Sequence, residues 1–283
     1  MAEEIEIDYL RTWIGKQDCG SDVITAELLK RFRATLSGYT QVTTQIPLGI
    51  HWCLAQPAVT HGDLGVDGHP AKGGFLPPVP LPRRMWASSR LQFHKSPSVG
   101  SALDRTSTIA DVVLKHSISS GPLVFVHIYH EYVQCEDILI QERQTFVYRQ
   151  ASAFKQPEAQ QPNDSPRSLT ILPDATLLFR YSAITFNGHR IHYDYNYTTN
   201  EEGYPGLVVH GPLMATLLMN LAQANRPISP MRKFEFRGVA PAFADNPLQL
   251  AITDDDGESL EVRNHESALV MSARVQFGAD DES

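Results

Sequence analysis

Apolar positions along this chain follow two periods. From Thr25 the period is helical: Leu28, Leu29, Phe32 and Leu36 fall on one face, Thr25 can cap the first turn, and Gly38 can stop the last. Further on the period shortens towards two. Runs around Trp86 to Phe93, Thr106 to Leu114, Leu123 to Val133 and Arg143 to Arg149 have the β-branched and aromatic content of strands.

The second half repeats the pattern. SLTILPDATLLFRYSAIT, from Ser168, reads as two short strands separated by Pro173 and Asp174. GPLMATLLMNLAQA reads as a helix with Gly211 at its N-cap and Pro212 at its first position, where a missing N–H costs nothing. Its stripe is Leu213, Leu217, Leu218 and Leu221, and Pro227 marks its end. KFEFRGVAPAF, PLQLAIT and ALVMSARVQF are three further strands, with a turn at Asp254 to Glu258 between two of them.

Between the halves lies KQPEAQQPNDSPRS, Lys155 to Ser168, with three prolines and almost nothing apolar. It cannot bury enough surface to offset its ordering entropy and reads as a linker. The expected division is residues 1–154, a linker at 155–168, and residues 169–283. Each part is a helix plus an antiparallel sheet, an α+β arrangement in which two units can join edge to edge. The loop from Thr60 to Pro82 is long and rich in Gly and Pro, and is either a wall of a ligand groove or a mobile crossover.

Composition narrows the function. Hydrophobic residues make up 42% of the 283 positions and charged residues 20%, the balance of a folded domain. The net charge is −8 with no basic run, which disfavours nucleic acid. No stretch approaches ~18 consecutive apolar residues, so no membrane span is expected. The acidic start, MAEEIEIDYL, lacks the basic and apolar regions of a secretory signal. Cys19, Cys53 and Cys135 are an odd number without metal-ligand spacing, and the expected compartment is the reducing cytoplasm.

The densest polar cluster is RYSAITFNGHRIHYDYNY, Arg180 to Tyr197, expected where a strand gives way to a loop. Asn187, His189, His192 and Asp194 fall within eight residues, and His210 and Gly211 follow. His189, His192 and Asp194 could ligate zinc or iron, but HIYHE is the one other suggestive segment and places His127 and His130 on opposite faces of a strand. No metal is expected.

The run Thr185 to His192, followed by Val209, His210 and Gly211, resembles the hydratase motif of the MaoC-like superfamily of (R)-specific enoyl-CoA hydratases and dehydratases. It is most similar to the mitochondrial-type 3-hydroxyacyl-thioester dehydratases and the itaconyl-CoA and mesaconyl-CoA hydratases. HWCLAQP (from His51), DGHPAKGGFLPP (from Asp67) and RRMWASSRLQF (from Arg83) carry that likeness into the first half. The resemblance implies a double hotdog fold, two long helices each wrapped by antiparallel strands in one continuous sheet. It implies a hydro-lyase acting on a short branched dicarboxylic enoyl-CoA, itaconyl-CoA or mesaconyl-CoA, giving citramalyl-CoA. No cofactor is expected, since CoA is part of the substrate, and self-association is open.

One departure matters. The superfamily's usual Asp is Asn187 here and its usual Asn is His189. An amide does not exchange a proton at neutral pH, so Asn187 can only position. The expected roles are then His192 as base, Asn187 and His189 orienting the water or returning the proton, and the Gly211 N–H as oxyanion donor at a helix tip. Arg83, Arg84, Arg180 and Arg190, with Tyr193 and His210, are expected to bind substrate; a guanidinium suits an acyl carboxylate or a CoA phosphate. The competing readings are a 3-hydroxyacyl-ACP or -CoA dehydratase of fatty-acid metabolism, a thioesterase, and a non-catalytic acyl-CoA-binding protein.

Overall fold

Strands β1 (Gln17–Val23), β2 (Arg83–Phe93), β3 (Ala102–Ser117), β4 (Gly121–Gln134) and β5 (Asp137–Arg149) come from the first half. From the second come β6 (Ser168–Ile171), β7 (Met231–Gly238), β8 (Leu248–Ile252), β9 (Ser259–Asn264) and β10 (Leu269–Phe277). In the computed structural model, which describes residues 5–117, 121–161 and 165–278, all are antiparallel in one sheet, in the order β1-β3-β4-β5-β2-β7-β10-β9-β8-β6. Read outward from the centre, the two sides have the same connectivity. The join is β2 on β7, where Ser89 pairs with Phe236 and Leu91 with Phe234. Two copies of one topology in a continuous sheet make a double hotdog.

Buried positions alternate along β3 and β4, so one face of the sheet is packed and the other meets solvent. The packed face of the second half holds helix α4 (Gly211–Asn225), in which Leu213 to Asn220 are buried without a break. A helix buried all round needs partners on every side. The sheet supplies one. The loop before the 3-10 turn Ile50–Cys53 supplies another: Asn220 Nδ2 donates to the Leu48 carbonyl at 3.1 Å, and Gly49 lies against Thr216, where no side chain would fit.

The first half also holds α1 (Ile7–Arg11) and α2 (Ala26–Leu36). Thr25 caps α2 as expected, accepting from the Leu28 N–H at 3.0 Å. Three features differ from expectation. The run after Pro173 is not a strand but α3 (Ala175–Ile184), because Asp174 accepts from the Leu177 N–H at 2.7 Å and starts a helix there. The N-cap of α4 is His210, one residue before Gly211, which is its first helical residue. β1 and β9 lie in polar sequence with few β-branched residues, and pairing with β3 and with β8 and β10 makes them strands.

Among the described residues no helix is long and apolar enough to cross a membrane. The described part of the expected linker, before Ser168, has no regular structure.

Candidate active site

The polar cluster begins where a helix ends, not a strand. α3 closes with the Asn187 N–H donating back to the Ser182 carbonyl at 2.9 Å, with Phe186 in the left-handed region at φ 50°. That bond pattern usually places Gly at the left-handed position. A Phe there costs about 1–2 kcal/mol, and the strain sits beside the candidate site residues Asn187, His189 and His192.

Asn187 then folds the chain back. Its Oδ1 accepts from the His189 N–H at 3.0 Å, leaving Nδ2 to donate elsewhere. A 3-10 turn, Arg190–His192, brings both histidines inward, where His189 is 8% exposed and His192 7%. His192 Nδ1 lies 2.7 Å from the Val208 carbonyl, which can only accept. The proton therefore sits on Nδ1, and Nε2 presents a lone pair. His210 stacks on His192 with ring centroids 3.6 Å apart, and its Nε2 lies 2.8 Å from Ser182 Oγ.

Burial is the main force on these rings. It lowers His192 to about 3, against the opposing pull of the Val208 bond. It holds His189 and His210 well below the usual imidazole value, helped by the neighbouring histidines and, at His189, by Arg84. All three are neutral at pH 7, the state a proton acceptor needs.

Gly211 follows His210 directly. As the first residue of α4 its N–H has no partner within the helix, and Pro212 has none to offer. A Cβ placed on Gly211 would meet nothing within 4 Å, so there is open space at the helix tip. A free N–H with the positive end of the helix dipole behind it, one residue from a ring stacked on His192, suits an oxyanion.

The long Thr60–Pro82 loop, left open above, is a wall of this site. The Arg190 N–H donates to the Asp67 carbonyl at 2.9 Å. Gly68, at φ 85°, meets Gly188 backbone to backbone, so a Cβ on either would collide with the other's carbonyl. This contact brings in two residues that the sequence reading did not place in the site. His69 has its ring centroid 4.1 Å from that of His189, and its Nδ1 lies 3.0 Å from Asp67 Oδ2. Burial and the charge of Arg84 lower His69 to about 4, and Asp67 opposes them. Burial disfavours the Asp67 carboxylate, but the bonds from His69 and the charge of Arg84 outweigh it and bring it to about 2. The clue was in DGHP, within a motif already singled out. The register that carries it onto His189 was not.

The expected substrate-binding residues separate. Arg83 is tied down: it pairs with Glu202 and donates to the Glu201 carbonyl at 2.9 Å. Arg190 pairs with Asp194 at 2.7 Å and lies 4.1 Å from the Tyr197 ring. Arg180 is exposed on α3, where its charge acts on Tyr39. Tyr193 is half-exposed at the rim and donates to the Gly188 carbonyl at 2.8 Å. Arg84 is buried, 3.7 Å from Asp67, with its Nε lacking a hydrogen-bond partner. A cavity of about 230 Å³ lies at the other end of β2, against Phe93 and His51, away from these residues.

Asp67, His69 and His189 bring possible ligand atoms within 4.8 Å of one another. Arg84 sets a positive charge beside the same carboxylate, which opposes a cation there. Asp194 is engaged by Arg190 rather than by His189 and His192.

Fold and site together define a double-hotdog hydratase or dehydratase of CoA thioesters. The family profile of hydroxyacyl-thioester dehydratase type 2 matches residues 49–244. A mesaconyl-C(4)-CoA hydratase of Chloroflexus aurantiacus is 41% identical over 273 residues, 94% of this chain and 97% of its own. The mitochondrial hydroxyacyl-thioester dehydratase type 2 of Schizosaccharomyces pombe is 27% identical, over 82% of this chain and 89% of its own. HtdX of Mycobacterium tuberculosis shares the fold with a TM-score of 0.67 at 16% identity, over 93% of this chain and all of that one. The chain belongs to the hydroxyacyl-thioester dehydratase type 2 family.

Proposed function

We propose that this protein hydrates the carbon–carbon double bond of a short branched dicarboxylic enoyl-CoA, mesaconyl-CoA or itaconyl-CoA, to citramalyl-CoA. One observation carries the reading: the bond from His192 Nδ1 to the Val208 carbonyl leaves Nε2 as a lone pair on a buried ring that stacks on His210, the residue before the first N–H of α4 at Gly211. In this reading Nε2 takes a proton from water as the oxygen attacks Cβ. With mesaconyl-CoA esterified at C4, whose double bond is conjugated with the thioester, the π electrons move into the thioester as an enolate, and the Gly211 N–H holds its oxygen. Asn187 and His189 position the water.

The substrate assignment draws on the 41% identical relative named for mesaconyl-C(4)-CoA. It also draws on Arg84, whose unpartnered Nε gives a buried guanidinium a donor for an acyl carboxylate. The reading is tested with a panel of CoA esters, following loss of enoyl absorbance and release of free thiol. Mesaconyl-CoA should lose the former without the latter; itaconyl-CoA, whose double bond is not conjugated with the thioester, is followed instead by the citramalyl-CoA formed; and crotonyl-CoA, which lacks the second carboxylate, should be the poorer substrate. Free thiol from any of them would mean hydrolysis instead.

A further inference from the structure

Hydration needs a proton delivered to Cα as well as one removed from water. Asn187 cannot deliver it, and it stands where relatives of the wider superfamily carry a carboxylate. The structure supplies a carboxylate from the other half of the chain. Asp67 accepts from His69 twice, from the backbone N–H at 3.1 Å and from ring Nδ1 at 3.0 Å. The ring is thereby fixed with its proton on Nδ1 and a lone pair on Nε2.

His189 lies between the two sides, its ring centroid 4.1 Å from His69 and 5.4 Å from His192. The nitrogens of His69 and His189 come within 4.8 Å, a span one water bridges. Of these three rings His69 is the one hydrogen-bonded to a carboxylate. An imidazolium is therefore stabilised there more than on His192, whose Nδ1 meets a neutral carbonyl. Four charged or titratable groups act on His69: Asp67 from its own loop, Arg84 from β2, and His189 and His192 from the segment after α3.

Building on the hydratase reading, we infer that His69, backed by Asp67, is the catalytic residue that returns the proton to Cα. The water O–H breaks as the oxygen bonds to Cβ, and the proton goes to His192 Nε2. It passes through His189 to Nε2 of His69, where Asp67 holds the imidazolium. From there it goes to Cα of the enolate, and the electron pair of the enolate forms the C–H bond. One C–O and one C–H bond form, one O–H and one π bond break, and every ring ends neutral. Asp67 acts through His69 and is a positioning residue.

The test uses the full chain with His69→Gln, His69→Ala and Asp67→Asn. Asp67→Asn keeps an acceptor for the His69 N–H and removes the charge. His69→Gln should lower kcat about 10²- to 10³-fold with KM changed less than about threefold. In the reverse direction, the isotope effect on dehydration of α-deuterated hydroxyacyl-CoA should rise, because the Cα proton step has become limiting. Added imidazole should restore turnover to His69→Ala, and Asp67→Asn should fall about tenfold or more. Wild-type kcat in His69→Gln, or a loss with an unchanged isotope effect and no rescue by imidazole, overturns the assignment.

The hydratase reading is decided separately by wild-type turnover. Independently of turnover, ring NMR of the wild-type chain should show His69 protonated on Nδ1 and shifted by succinyl-CoA, a saturated dicarboxylic thioester. Rings that do not respond to it overturn the role of His69 even in a chain that hydrates nothing offered.

Discussion

His192 and His210 lie ring on ring, centroids 3.6 Å apart and planes 19° from parallel. The stack ties the proposed base to the tip of α4, because His210 stands at the N-cap position of that helix and Gly211 begins it. Positioning a base and an oxyanion donor on one rigid contact reduces the reorganisation the reaction must undergo. His192→Gln keeps a polar side chain of similar reach without a base. It should lower kcat about 10²- to 10⁴-fold and leave the melting temperature near wild type. A fall in activity that tracks a fall in stability would make His192 structural.

Gly211→Pro tests the oxyanion donor. Proline suits the first position of a helix, and His210 before it already has the extended backbone, φ −62° and ψ 132°, that a following proline requires. The substitution removes the N–H and adds a Cβ before Pro212 in the helical region, a strain that Gly211→Ala shares while keeping the N–H, so Gly211→Ala is the control. Gly211→Pro should cost about 10²- to 10³-fold in kcat, the usual effect of deleting one such donor. Steady-state kinetics beside a thermal melt separate this from misfolding.

Stability should fall in acid. Burial holds His51, His130 and His192 near 3, and burial with Arg84 holds His69 near 4. These folded values lie below the ordinary value of about 6.5, so the unfolded chain takes up protons first as pH falls. Stability from these groups is fully present above about pH 6.5 and is lost progressively down to about pH 3–4, each contributing up to about 1.4 kcal/mol per pH unit. The melting temperature should drop steeply between about pH 6.5 and about pH 5. A flat profile there would contradict the neutral, buried state of these rings.

Gly68 and Gly188 hold the Thr60–Pro82 loop on the site. Gly68→Ala adds a methyl where the Gly188 carbonyl stands, at a φ that L side chains rarely adopt. It should destabilise the chain by about 1–3 kcal/mol and lower activity further than that loss explains, since His69 moves with the loop. Ala at Gly15 or Gly38, also at positive φ but with open space around each, should affect stability and spare kcat.

The sequence was most readable where one rule decided the outcome. The α2 cap at Thr25 and the strands later seen as β2 to β5 followed from local pattern. α3 did not, because ATLLFRYSAI is apolar enough to read either way, and the Asp174 cap decided for helix. β1 and β9 are strands by pairing, not by propensity. At the site, the motif resemblance pointed to His192, His189, His210 and Gly211 because they are near one another in the chain. Asp67 and His69 are about 120 to 145 residues away from them, and they are joined through long-range contacts, Gly68 on Gly188 and the Arg190 N–H on the Asp67 carbonyl, that local pattern does not encode. The four arginines looked alike as sequence. Their ion pairs with Glu202, Asp194 and Asp67 are long-range or turn-specific facts that composition does not encode.

The most direct test follows the oxygen. Mesaconyl-CoA incubated with the protein in water enriched in heavy oxygen should yield a hydroxyacyl-CoA with one heavy atom at Cβ and its thioester intact, and His192→Gln should form it at least about 10²-fold more slowly. Heavy oxygen in a free carboxylate with release of CoA thiol, or unchanged labelling by His192→Gln, would contradict it.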